Sequence, residues 1–211
     1  MPHSPFSRLA SAYRRGRRHA LALMLAGAGL LAACGSSPPV QLYRLPSAPP
    51  RMPAATEVAA PSSHAWQLML PVRIPDYLDR QALLLPQGDA GMLALSDQRW
   101  AESLREAVPR VLREDLARLR GEDRVWTSPV PAGVAIARRL RVELLALDVA
   151  PDRRSVRLQA RWSLVDPAAT LPPILGTANF TEAAPDGRIE ELVAAHRLAL
   201  WHLAERIAAT R

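Results

Sequence analysis

The sequence predicts an α+β fold, a single two-layer domain in which a mainly antiparallel sheet carries two amphipathic helices on one face. Three observations lead there. Val156, Leu158, Ala160, Trp162 and Leu164 alternate with Arg157, Gln159, Arg161 and Ser163, the period of a strand with one face buried and one wet. Two segments, Trp100–Leu119 and Ile189–Ile207, repeat apolar residues at steps of three and four, as an amphipathic helix does. The elements run strands, helix, strands, helix, without the strict alternation that builds a parallel sheet.

Each element has its own local reason. Gln41–Leu45 is a short apolar strand stopped by Pro46, and Ser47–Ser63, rich in Pro, Ala and Ser, reads as an extended surface loop. Trp66, Leu68, Leu70 and Val72 alternate with Gln67, Met69 and Pro71, a strand with a proline near its end. Ala82–Leu85 and Met92–Leu95 flank a six-residue turn and form a hairpin. Ser96 or Asp97 is the expected cap of the first helix, which runs to Gly121 with a kink near Ala107 caused by Pro109. Val125–Thr127 is a short strand. Arg139–Asp148 and Ser155–Val165 pair across Pro151-Asp152-Arg153-Arg154, and Leu171–Glu182 adds another strand. Asp186 is the expected cap of the last helix, Ile189–Ala209, whose stripe holds Leu192, Val193, His196, Leu200, Leu203 and Ile207. The five tryptophans, Trp66, Trp100, Trp126, Trp162 and Trp201, lie on apolar faces and are expected in the core.

The N-terminus reads as an address. Arg14–Arg18 precede Ala20–Ala33, an uncharged run of Ala, Leu, Met and Gly, the layout of a secretory signal. Its 14 residues span about 21 Å as a helix, short of a hydrocarbon core of about 30 Å. Leu31-Ala32-Ala33-Cys34 resembles the lipobox of bacterial lipoproteins: small residues admit a peptidase, and the Cys34 thiol is the nucleophile that takes the acyl chain. Residues 1–33 are therefore assigned as signal peptide, 34–40 as lipidated Cys34 and tether, and 41–210 as the domain. Two or three acyl chains hold a protein firmly on a membrane. Gly35, rather than Asp, follows the cysteine, which favours the periplasmic face of an outer membrane.

Charge and chemistry narrow the class further. All 27 basic residues are arginine and the formal charge is +7, but five arginines precede Cys34, where no acid occurs. From Cys34 onward, 22 arginines meet 20 acids, so the basic balance of the whole chain does not indicate nucleic acid. A single cysteine offers no internal disulfide and no Cys-based metal cluster. There is no G-x-S-x-G elbow, P-loop, G-x-G-x-x-G or H-E-x-x-H, and no enzyme, cofactor or metal is expected. His64, His196 and His202 read as packing or surface residues. Asp76 and Asp79 could form an acid/base pair, but Arg80 beside them makes an ion pair the simpler account, with Arg80 or Arg99 holding Asp79. The functional candidate is a partner-binding surface of Asp76, Tyr77, Leu78, Asp79, Arg80, Arg99 and Trp100.

The run Val72-Arg73-Ile74-Pro75-Asp76-Tyr77-Leu78-Asp79-Arg80 continues after the hairpin to Arg99-Trp100-Ala101-Glu102-Ser103-Leu104, then through Pro109-Arg110-Val111-Leu112 to Asp115-Leu116. Together with Tyr43-Arg44-Leu45-Pro46, it resembles the PqiC family of ABC-type transport auxiliary lipoproteins over most of residues 31–211. Ser103 stands where such proteins often have proline. The resemblance implies an outer-membrane lipoprotein of a Pqi-type system that docks a periplasmic tube of MCE domains and supports envelope integrity. Its implied partners are an MCE-domain (PqiB-like) periplasmic protein and an inner-membrane PqiA-like protein, with the subunit itself in a homo-oligomeric ring. The alternative is an auxiliary lipoprotein of another ABC transporter with a different partner.

Overall fold

The computed structural model describes residues 39–49 and 64–210, so the expected signal peptide and lipobox, with Leu31, Ala32, Ala33 and Cys34, lie outside the described residues, as does most of the Ser47–Ser63 loop. The chain divides into units Met1–Pro39 and Val40–Arg211, and the fold is that of the second. Its strands are β1 (Gln41–Tyr43), β2 (Ala65–Leu68), β3 (Ala82–Gln87), β4 (Gly91–Trp100), β5 (Val125–Trp126), β6 (Ile136–Val149), β7 (Ser155–Val165) and β8 (Ile174–Ala183). Helix α1 (Leu104–Arg120) follows β4, and α2 (Ile189–Ala208) follows β8.

The α+β class and the largely antiparallel pairing hold, with the strands divided between two sheets. A five-stranded sheet runs β5-β2-β6-β7-β8 and a three-stranded one β1-β4-β3. Strands β6, β7 and β8 pair antiparallel in a long meander. The alternation in β7 is realised fully: Val156, Leu158, Ala160, Trp162 and Leu164 are buried while Arg157 and Arg161 are exposed. Both α1 and α2 join the same apolar core as this buried face, with α2 packed on β7 and β8 and α1 on α2 and β5. Among the described residues, no helix covers the opposite face of the sheet. Gly176 in β8 is required by its neighbour, because a Cβ there would collide with the Trp162 ring.

Several boundaries differ from the expectations, each for a physical reason. Helix α1 starts at Leu104, capped by the extended Ser103, because Ser96–Trp100 continues β4. Pro109 therefore falls in the second turn of one helix rather than mid-way along a longer one. Asp186 does not cap α2; the N-cap is Arg188, and Asp186 instead lies 3.7 Å from the Arg188 guanidinium. Strand β8 begins after Pro172-Pro173, which have no N–H to donate. Trp66, Trp100, Trp162 and Trp201 are buried, but Trp126 is only half-buried at the end of a two-residue strand, its indole N–H donating to the Asp123 carbonyl.

Candidate partner-binding surface

The Pro75–Arg80 segment forms a single 3-10 turn, Asp76–Leu78, in which Leu78 N–H donates to Pro75 O and Asp79 N–H to Asp76 O. A three-residue turn puts one side chain inward, and here that is Leu78, 6% exposed. Tyr77 is half-buried, its hydroxyl donating to Asp148 Oδ1 on β6 at 2.7 Å; burial, then this bond, raises the phenol pKa. Asp79 is held by neither Arg80 nor Arg99. Arg105, in the first turn of α1, donates to it at 2.7 Å and lies 3.8 Å from Asp76. The two carboxylates thus share one guanidinium, which suits a structural join rather than acid/base work.

The expected surface is therefore split. Leu78 and Trp100 belong to the core, and both line a small internal cavity with Leu104 and His196. They are removed as contact residues, because the turn and the end of β4 direct them inward. Asp76, Asp79, Arg80 and Arg99 stay outside, with Arg99 donating to the Ser96 carbonyl.

The more extensive surface lies on the open face of the five-stranded sheet, where reading the strands singly did not locate it. A cleft of about 660 Å³ is lined by Leu70, Pro71, Arg73, Arg141, Glu143, Arg161 and Leu175, among others. A second, of about 360 Å³, shares Pro71, Arg73 and Glu143 and continues to Leu145, Asp76 and Arg105. Leu70, Leu145 and Leu175 are 50%, 47% and 74% exposed. In the first cleft Arg73, Arg141 and Arg161 surround Glu143, which accepts from Arg161 Nε at 2.6 Å. That bond holds the Glu143 carboxyl below its ordinary range. The result is a concave, basic surface with exposed leucines, reaching the Pro75–Arg80 turn through Asp76. Its sequence signal was Leu145 and Leu175, apolar residues at positions that face water.

A third feature was missed outright. Arg197 on α2 and Asp115 on α1 are both fully buried. Arg197 donates to both Asp115 oxygens at 2.7 and 2.5 Å, and to the carbonyls of Pro46 and Ser47 at 2.6 and 2.7 Å. Arg118 bridges Asp115 to Ser47, and Arg110, paired with Glu102, donates to the Leu45 carbonyl. The helix layer thereby clasps the three residues between β1 and the following loop. The signal was available: Asp115 interrupts the α1 stripe between Leu112 and Leu116, and Arg197 sits four residues after Val193. Among the described residues no group of three or more His, Cys, Asp and Glu could hold a metal ion, and no helix is long and apolar enough to cross a membrane.

Comparison with known proteins places this architecture. The model of a family described as ABC-type transport auxiliary lipoprotein component matches residues 43–208. No curated protein matches the chain. An uncharacterised protein known from its crystal structure has a TM-score of 0.63 at 17% identity, covering 81% of this chain and 97% of its own. Protein XCC0632 from Xanthomonas campestris has a TM-score of 0.60 at 10% identity, covering 79% and 92%. At these identities the likeness establishes the fold.

Proposed function

The chain belongs to the family of ABC-type transport auxiliary lipoprotein components, and from that premise we propose that it is the outer-membrane lipoprotein subunit of a Pqi-type MCE lipid-transport system. In this reading Cys34 carries the acyl anchor, the domain sits at the periplasmic face, and it docks the end of an MCE-domain tube whose inner-membrane end belongs to a PqiA-like protein. The family is one of transport auxiliaries and is not an enzyme class.

The observation that carries the docking role is the open sheet face, where Leu70, Leu145 and Leu175 stand in water around Arg73, Arg141 and Arg161. A soluble domain that leaves apolar side chains on a concave, basic surface has the character of a binding site. The homo-oligomeric ring is supported by β8, ten residues long at the edge of the sheet and without lysine or proline, an edge open to pairing with a second copy.

Photocrosslinking in intact cells from positions 161 and 175 tests this. Capture of an MCE-domain protein is the expected result. Capture of a permease or of another periplasmic component instead would replace the Pqi assignment with the alternative, an auxiliary lipoprotein of a different ABC transporter. A Cys34→Ser form should lose function in detergent challenge; full complementation by that soluble form would remove the membrane-docking role.

A further inference from the structure

The large apolar side chains exposed among the described residues fall into two groups. Leu70, Leu145, Leu171 and Leu175 belong to the five-stranded sheet and its loops, while Val40, Leu42, Met92 and Leu93 belong to the three-stranded one. The second group has no part in the docking surface, and the direction of β1 gives its members at the start of β4, Met92 and Leu93, a different occupant.

Strand β1 pairs parallel with β4, Gln41 opposite Gln98 and Tyr43 opposite Trp100. Because the strands are parallel, the chain enters β1 from the Gly91 end of β4, where the turn from β3 begins the strand. Gln98 to Gly91 is seven residues, and Gln41 to Cys34 is also seven. Each is about 23 Å at roughly 3.3 Å per residue, and a chain cannot exceed its extended length. A sulfur at position 34 therefore reaches no farther in this direction than the level of the β3–β4 turn, and any slack brings it closer to the body.

We infer that the β3–β4 turn rests on the bilayer, with Met92 and Leu93 entering the interface. This rests on acylation of Cys34 as read above: fatty chains must enter the membrane from that sulfur, so the membrane surface lies at or short of the turn. Met92 and Leu93 are 46% and 40% exposed, which suits apolar side chains in contact with lipid. The turn, Gln87-Gly88-Asp89-Ala90-Gly91, carries one acid and no base. Attraction to anionic headgroups is thus not the source of the contact, and its dependence on salt is weak.

The experiment uses the mature, acylated protein in vesicles of phosphatidylethanolamine and phosphatidylglycerol. The thioether at position 34 blocks the chain's one cysteine, so Leu93→Cys or Met92→Cys takes an environment-sensitive fluorophore alone, with Leu175→Cys as the reference on the docking surface. The expected result is a blue shift and several-fold quenching by lipid-borne quenchers at positions 92 and 93 but not at 175, unchanged between low and high salt. A probe at 93 that an aqueous quencher reaches as freely as one at 175, on protein shown by mass to be acylated, overturns the proposal while leaving the docking role intact. An unacylated mass overturns both the anchor and this contact. Loss of the lipid signal at high salt would reject the apolar mode of contact.

Discussion

Arg197 and Asp115 show how far one buried pair can organise its surroundings. Both side chains are excluded from water, where an ion is costly unless its partner and its remaining hydrogen bonds are in place; burial pushes the Asp115 pKa up against the opposing pull of Arg197 and Arg118. Here all are supplied, and Arg197→Met should cost about 3–5 kcal/mol, because Asp115 would keep only its bond from Arg118 in a dry site. For a domain of this size that is a fall in Tm on the order of 10 °C, readable by circular dichroism. Adding Asp115→Leu should recover part of the loss. If it recovers none, the bonds to Pro46 and Ser47 carry the stability and the ion pair does not. His196 makes the opposite case. Its ring is buried, Nδ1 lies 2.7 Å from the Leu192 carbonyl, and the ring meets Trp100 edge-on at 5.6 Å. Burial lowers its pKa despite the Leu192 bond and the field of Asp148. The unfolded chain therefore takes up a proton near pH 6.5 that the folded one refuses, so this contribution to stability is whole above about 6.5 and is lost as pH falls below it. Measured by denaturant midpoints, the difference between wild type and His196→Leu should move in the variant's favour from about pH 7.5 to 5.5.

At the scale of elements, what could be read from local spacing and what could not separate cleanly. The β6–β7 hairpin and the stripe of α2 were legible because their periodicity is unbroken and their partners are adjacent in sequence. The insertion of β2 between β5 and β6 was not, since parallel pairing across some seventy residues, Leu68 opposite Leu140, leaves no mark on a four-residue strand. Ser96 and Asp97 misled for a clear reason: cap-forming residues followed by Trp100 and Leu104 imitate a helix start, while the irregular register of β4 against β3 hides its alternation. The join between the two sheets depends on Tyr77, and Tyr77→Phe, which removes its bond to Asp148, should cost about 1.5 kcal/mol. A melting curve displaced by a few degrees would confirm it; an unchanged curve would reassign the join to Leu78. Strand β8 gives a sharper test. Ala184 N–H donates toward β7, and with an unbroken register the odd-numbered amides of β8 face outward. Asn179→Pro therefore removes no hydrogen bond within the sheet but blocks pairing along the free edge. Light scattering should show smaller assemblies with little change in Tm; an unaltered assembly would mean that copies meet elsewhere.

Over the whole molecule, two kinds of surface are kept apart. The open sheet face combines three arginines with leucines around paired clefts, whereas the three-stranded sheet exposes apolar side chains around a turn with no base. Arg141→Gln with Leu175→Glu should weaken capture of the transport partner by at least tenfold and leave Tm within about 2 °C, because both side chains already stand in water. Pull-down with quantitative blotting measures the first and calorimetry the second. Undiminished capture would move the docking site off this face. The sequence disclosed the class of the molecule, since its periodic segments are contiguous residues. The open, basic sheet face was hidden because it is assembled from β6, β7, β8 and the segment after β2, and it exists only once the sheet has formed.

The clasp on Leu45, Pro46 and Ser47 also determines how the body withstands tension. A tug on the chain upstream of Gln41 first loads three residues of β1 lengthwise, so that their bonds to β4 resist together instead of unzipping singly. Should that strand slip, the strain stops at the guanidinium groups of Arg110, Arg118 and Arg197. The mooring line is thus made fast to the helices, and the exposed sheet can keep its shape while the surface it hangs from moves.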